Sequence, residues 1–371
     1  MNVRLVFDIA PKVGNPRNSE GSFLRAPNGE ILFAYSAYTG GRGHDHDACD
    51  IRMIRSADEG EHWTDTPETI AAASFFGTQN VMSVSACPML DGALAFYFLV
   101  KENDGTSTFG RTISRDGGKT WTPERTVWNA PPAYYVINND RLVRLSDGRI
   151  IAPAANYPAF GQHGGMYNPA ITTLLVSEDD GASFSLMSSA RLMHSSKVNL
   201  KYGLQEPGIM ELSEGVFWIW MRTGAGYQYE SRSFDNLMTF TQPEPSIFTS
   251  PDSPMQVVRF DEKTLYAIYN PIPNYNGRKK TKAVWGRTPL VIRKSEDNGK
   301  TFGDLFVIED DETRGYCYPA TFFTRDGKLL CAYCRGGEED GACLFRLGIS
   351  KLDIAQMSAL CKVKRTNYTF E

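Results

Sequence analysis

No stretch of this chain approaches eighteen consecutive apolar residues, so nothing in it reads as a membrane-spanning helix. The N-terminal MNVRLVFDIAPKVG has no apolar run long enough for a secretory signal. Positive charge is not in excess either. The chain carries 39 Lys and Arg against 43 Asp and Glu, a formal net charge of −4, which argues against nucleic acid or an anionic membrane as partner. Histidines number only five, and apart from His44-Asp45-His46-Asp47 none are grouped; that stretch reads more simply as a polar loop than as a metal site. The seven cysteines are odd in number and irregularly spaced, as expected for reduced thiols in a cytosolic chain, with a secreted mature form left open. Cys331 and Cys334 form a CxxC, but in a predicted strand their side chains face opposite ways, which does not suit a redox or zinc pair. No metal or organic cofactor is called for. No Pro- or Gly-rich linker divides the chain, so residues 1–371 read as one domain.

What the sequence does have is a repeat. The pattern Ser-x-Asp-x-Gly-x-x-Trp/Phe recurs about every sixty residues: Ser56-Asp58-Gly60-Trp63, Ser114-Asp116-Gly118-Trp121, Ser177-Asp179-Gly181-Phe184 and Ser295-Asp297-Gly299-Phe302. A worn copy, Ser233-Asp235-Phe240, has Leu237 at the Gly position. Ser and Asp side chains bond nearby backbone amides, Gly takes a positive φ, and the aromatic ring anchors the turn on a sheet. A long fixed period means one supersecondary unit repeated.

Upstream of each of the five copies lies a tight turn between apolar runs, at Asn28-Gly29, Asp91-Gly92, Asp147-Gly148, Glu214-Gly215 and roughly Asp261-Glu262, and a sixth turn stands at Asp326-Gly327. Such turns are hairpin signals. In the first unit the strands read 20–27, 30–38 and 50–56, then a fourth after the Ser-Asp-Gly-Trp turn. The sixth unit has strands near 328–335 and 342–350 and lacks a box, so its last strand is expected from the β-prone Val3-Arg4-Leu5-Val6-Phe7. The predicted fold class is all-β: a six-bladed β-propeller of four-stranded antiparallel blades, its ring closed by the N-terminal strand.

In such a ring, polar residues at inner-strand starts and in the loops after the second strands gather at one mouth of the channel. They are Arg17, Glu20, Arg42, His44, Asp45 and Asp47 from blade one, and Asn139, Asp140 and Arg141 from blade three. Blade four adds Gln205, Glu206 and Arg222, blade five Arg287, and blade six Tyr316 and Tyr318. With the boxes and the six-fold count, this set resembles the sialidase (neuraminidase) glycoside hydrolases. Glu206 precedes Arg222 by sixteen residues, Arg287 stands eight before Ser295, and Tyr318 stands eight before Asp326, each as in the family pattern. Asp45 lies eleven residues before Ser56, where the family has its acid/base, with Asp47 as the alternative. The first arginine departs from the pattern. Pro16-Arg17-Asn18-Ser19-Glu20-Gly21 stands in place of an aromatic-Arg-Ile-Pro signature, so the identity of the sugar stays open.

The resemblance implies retaining cleavage of a terminal sialic acid or related acidic sugar. Arg17, Arg222 and Arg287 would clamp the substrate carboxylate, which guanidinium forks suit better than lysines, and Asp47 and Asp140 would contact the substrate. Tyr318 would be the nucleophile, avoiding the repulsion a carboxylate would meet there. Glu206 would be its base and Asp45 the acid/base, with Tyr316 as the fallback nucleophile. The expected partner is a sialoside or other acidic glycan. A glycosidase or lyase acting on another sugar, and a non-catalytic carbohydrate-binding propeller, are the competing readings. Trp218 and Trp220, in the run Val216–Met221, read as packing rather than as sugar platforms.

Overall fold

A computed structural model of the protein describes residues 1–157, 169–193, 200, 202–271, 281 and 283–357. Six sheets, antiparallel except for one edge strand of blade three, form a β-propeller. Blade one runs from the channel outwards as Arg17–Arg25, Ile31–Tyr38, Cys49–Ser56 and Glu68–Ala71. Blade two is Val81–Ala86, Leu94–Asn103, Thr106–Ser114 and Thr122–Arg125. Blade four is Gln205–Ser213, Val216–Arg222, Tyr227–Ser233 and Glu244–Thr249. Blade five is Gln256–Arg259, Leu265–Tyr269, Leu290–Ser295 and Leu305–Glu309. In blade six, Cys317–Phe323, Leu329–Cys334 and Leu347–Leu352 are completed by Val3–Ile9, the closing strand expected from its β-prone sequence. The third strand starts at Leu347, later than expected, because a short 3-10 turn at Glu338–Asp340 occupies the connection.

Blade three departs from the four-strand plan. Its inner strand is split into Tyr134–Val136 and Val143–Arg144, both paired with Ile150–Tyr157. Ile171–Ser177 and Ser183–Leu192 follow, and Val127–Asn129 adds a parallel edge to the outer strand.

Each Ser-Asp box is a closed local network. The Ser hydroxyl donates to the Asp carboxylate and accepts the N–H of the Gly position, in all four full copies. The Gly then seats against the second strand of the preceding blade: Gly60 at Leu330, Gly118 at Leu32, Gly181 at Tyr97 and Gly299 near Trp218. The worn copy keeps the same bonds through Ser233, Asp235 and the Leu237 N–H, with Leu237 at φ 67°. Its side chain is fully buried in a cluster with Ile151 and Leu145 of blade three, filling the space that Gly leaves elsewhere for a larger neighbour. The boxes therefore serve packing between blades. Gly181→Ala is expected to destabilise the fold by about 2 kcal/mol or more, because Gly181 sits at φ 80° and a Cβ there would overlap the Tyr97 hydroxyl. Denaturant unfolding of the variant checks this.

A second repeated device shapes the channel mouth. The pairing between inner and second strands breaks register between Ser19 and Ser22, Met82 and Ser85, Gln205 and Gly208, and Cys317 and Ala320. Each break is a bulge containing a non-glycine residue at positive φ: Glu20 at 54°, Ser83 at 62°, Glu206 at 42° and Tyr318 at 55°. A bulge re-aims a side chain, and a positive φ on such residues is strain of the kind that clusters at functional sites. Gly21, Pro207-Gly208 and Pro319 follow three of the four.

Candidate active site

All four bulge residues line one pocket of about 470 Å³ at the channel mouth. Tyr318 and Glu206 meet in it. The Tyr318 hydroxyl donates to Glu206 Oε1 at 3.0 Å, and Arg222 Nη1 donates to Glu206 Oε2 at 2.8 Å. Arg222 Nη1 also lies 3.4 Å from the Tyr318 oxygen. Burial, then the Glu206 charge, pushes the Tyr318 hydroxyl well above its ordinary pKa, against the pull of Arg222 and Arg287. Tyr318 is thus held as a phenol that donates to the Glu206 carboxyl group.

Arg222 and Arg287 both line the pocket. Arg222 Nε donates to Asp252 at 2.6 Å. Burial disfavours the Arg222 charge, but Glu206 and Asp252 more than offset this and keep it protonated. Arg287 rests on the Asp252 carbonyl at 3.0 Å and on the Cys317 sulfur at 3.2 Å, and its guanidinium carbon lies 5.6 Å from the Tyr318 ring centre. Two arginines therefore stand beside the tyrosine.

Arg17 is placed differently. It is 1% exposed and is tied to Asp45 at 2.6 Å and to Glu20 at 3.2 Å, with a third bond to the Gly43 carbonyl. Arg17 is buried and is not among the described residues that line the pocket, whereas Arg222 and Arg287 are. Asp45 does reach the pocket, with its side chain 58% exposed. Desolvation works against its charge, but Arg17 and Lys101 hold the carboxyl well below the usual range. Lys101 also donates to the Asp45 carbonyl, pinning the loop.

Asp47 and Asp140, expected to contact the substrate, are not among the described residues that line this pocket. Asp47 Oδ2 accepts the N–H groups of Arg42 and His44 at 2.8 Å each, so it shapes the loop from within. Asp140 sits deeper in the channel, where its carboxylate accepts from Ser22 at 2.6 Å, Gln256 at 3.0 Å and the Thr321 N–H at 3.1 Å. It braces blades one, five and six. Arg141 bonds Gln256 and the Met255 carbonyl, and Asn139 donates to the Gly21 and Tyr318 carbonyls, fastening two bulges together. Tyr316, the fallback nucleophile, is fully buried against Tyr333 and outside the pocket. Trp218 and Trp220 are core residues, 1% and 2% exposed. Cys331 and Cys334 fall in different core clusters.

Lys101, Asp252, Tyr134, Tyr157 and Trp285 were not singled out from the sequence. The first two are ordinary charged residues within strand and loop, with no local pattern to mark them. A wider groove of about 940 Å³ lies at the other end of the strands, along the turns at Asp147 and Glu214. It has no tyrosine among its described lining residues, and its arginine, Arg259, is tied to backbone carbonyls.

Residues 25–331 match the family described as the BNR repeat-like domain. The chain belongs to that family. No match is found among curated protein sequences. Among solved structures, this BNR repeat-like chain is similar to a Dyadobacter fermentans protein of unknown function, with a TM-score of 0.67, 19% identity, and 95% of this chain and 99% of that one covered. It is also similar to the Hadza microbial sialidase Hz136, at a TM-score of 0.70 and 13% identity, covering 92% of this chain and 67% of that one. A leech intramolecular trans-sialidase complexed with 2,7-anhydro-Neu5Ac gives a TM-score of 0.69 at 12% identity, covering 97% and 71%. At such identities the likeness is one of fold.

Proposed function

We propose that this BNR repeat-like protein is a retaining glycoside hydrolase that removes a terminal sialic acid, or a related sugar with a carboxylate near its anomeric carbon. The observation that carries the reading is the Tyr318–Glu206–Arg222 contact set at the channel mouth. In the first step Glu206 takes the Tyr318 proton, the phenolate oxygen attacks the anomeric carbon, and the bond to the aglycone oxygen breaks. Water then displaces Tyr318 from the opposite face, the one the aglycone left, and the two inversions retain the configuration. Arg222 and Arg287 hold the substrate carboxylate, and a neutral tyrosine can approach that charge where a carboxylate nucleophile could not. The sialidase names among the fold neighbours support the substrate class. The burial of Arg17, away from the pocket lining, favours, as a second reading, an acidic sugar that two arginines suffice to hold.

The experiment is release of a chromophore from an aryl sialoside, with product configuration followed by NMR and a sialic-acid transition-state mimic as inhibitor. Turnover with retention, blocked by the mimic, is the expected result. Neither turnover nor binding of the mimic, together with cleavage of an aryl uronide, would move the assignment to the second reading.

A further inference from the structure

The pocket holds one more carboxyl group, and the nucleophile and its base do not use it. Glu20 lines the pocket from blade one, aimed by the same kind of bulge that aims Glu206 and Tyr318. Its side chain is 4% exposed. One oxygen faces Arg17 Nη2 at 3.2 Å, and the other meets the Ser83 hydroxyl at 3.0 Å. Asp45 shares the same guanidinium, at 2.6 Å. One cation between two carboxyl groups supports one anion well, and the closer partner is Asp45, which Lys101 also favours. Glu20 has the longer contact and a hydroxyl neighbour that serves either protonation state, since Ser83 can donate to a carboxylate or accept from an acid.

We propose that Glu20, rather than Asp45, is the proton donor to the leaving group in the reaction read above, with Asp45 as the fixed counter-ion of Arg17. This rests on the reading of Tyr318 as nucleophile. The Glu20 O–H proton passes to the bridging oxygen as the bond to the anomeric carbon breaks and its electron pair leaves with that oxygen. In the second half Glu20 takes a proton from the attacking water. The bond from the anomeric carbon to the Tyr318 oxygen breaks, and the phenolate recovers its proton from Glu206. Protons and electrons balance over the cycle.

The electrostatics agree with this assignment. Burial first, offset in part by Arg17, pushes Glu20 up to about 7, where a group can act as acid and then as base near neutrality. The charged groups facing it are Arg17, Asp45, Lys101 and Glu206. The neutral titratable ones, Tyr38, Cys49, Tyr134, Tyr318 and Cys334, are all raised by burial and stay protonated in that range.

The test compares Glu20→Gln with Asp45→Asn on aryl sialosides whose leaving groups differ in acidity. With Glu20→Gln, cleavage of poor leaving groups is expected to fall about 10²–10⁴-fold. Activated ones should suffer far less, the alkaline limb of the kcat/KM profile should vanish, and added formate or azide should restore turnover. Asp45→Asn should move the alkaline limb to lower pH, since the Asp45 charge helps to raise Glu20, and below that limb should leave the leaving-group dependence as in the wild type. The reverse pattern would overturn the proposal while the Tyr318 mechanism stands. A wild type inert toward every aryl glycoside would sink both. Infrared titration gives a readout free of turnover: a protonated-carboxyl band lost as pH rises through neutrality, and missing in Glu20→Gln, is expected. A wild type without that band overturns the proposal by itself. Should Glu20→Gln fail to fold, Glu20→Asp keeps the acid one methylene shorter and must shift the alkaline limb; an unchanged limb counts against the assignment.

Discussion

Replacing Tyr318 by Phe is expected to lower turnover of an aryl sialoside on the order of 10³-fold or more while the protein stays folded. The change removes one oxygen and nothing else. The ring remains in its bulge at φ 55°, 9% exposed, with Arg287 near its face. Glu206 loses the hydroxyl but keeps Arg222 at 2.8 Å, so no carboxylate is left buried without a partner. The stability cost should then be that of one hydrogen bond, about 1 kcal/mol. Binding of a transition-state mimic should change only a few-fold, because its carboxylate would sit on Arg222 and Arg287. Loss of turnover with retained binding separates a nucleophile from a residue that merely holds the pocket in shape. A Tyr318→Phe enzyme working at wild-type rate would end the tyrosyl-intermediate mechanism. Glu206→Gln is the natural companion: if the base role is right, it should lose turnover while the Arg222 contact survives in part through the amide oxygen.

The features legible in the sequence were those whose chemistry is local. The Ser-Asp-Gly turn closes its own hydrogen bonds within a few residues, so its spacing counts the blades before any tertiary contact is known. Even Leu237 follows the rule, since the bonds belong to Ser233, Asp235 and the backbone rather than to the Gly. Tyr318, Glu206 and Arg222 were singled out on the family resemblance, at fixed distances from hairpin turns, and the structure brings the three into contact. What the chain did not reveal depends on which way a side chain is turned. Asp140 carries a positive φ of 56° in the gap that splits its inner strand, and that places its carboxylate in the channel with Gln256 and Thr321 rather than in the pocket. Arg17 was expected to face a substrate, yet Glu20 three residues on and Asp45 from the next loop claim it first. Such pairings join residues whose separation in sequence carries no period. The bulges themselves left a mark in Gly21, Pro207 and Pro319, which follow the positive-φ residue in three of the four bulges.

The ring depends on its closing strand, and removing residues 1–9 is expected to be the most damaging change to the fold. Val3–Ile9 pairs along the whole of Leu347–Leu352, from Val3 opposite Leu352 to Ile9 opposite Leu347. Val6, Phe7 and Ile9 pack on the cluster around Trp63, Phe33 and Leu330, where blade six meets blade one. Asp8 accepts from Arg335 at 3.0 Å and Arg346 at 2.6 Å, and Arg4 pairs with Glu61 of the first box. Truncation would remove all of this together and leave the fully buried strand Leu347–Leu352 as a naked edge. An exposed apolar edge is a template for aggregation. The loss is several kcal/mol from the roughly 5–15 kcal/mol that a folded domain has. The truncated protein should therefore collect in the insoluble fraction, or melt well below the full chain. A synthetic peptide spanning residues 1–10, supplied during refolding, should restore solubility by filling the edge in trans. Cooperative melting of the truncated protein at the full-length temperature, with no response to the peptide, would mean that blade six is held by its three remaining strands alone. The contacts of Phe7 and Asp8 would then be dispensable.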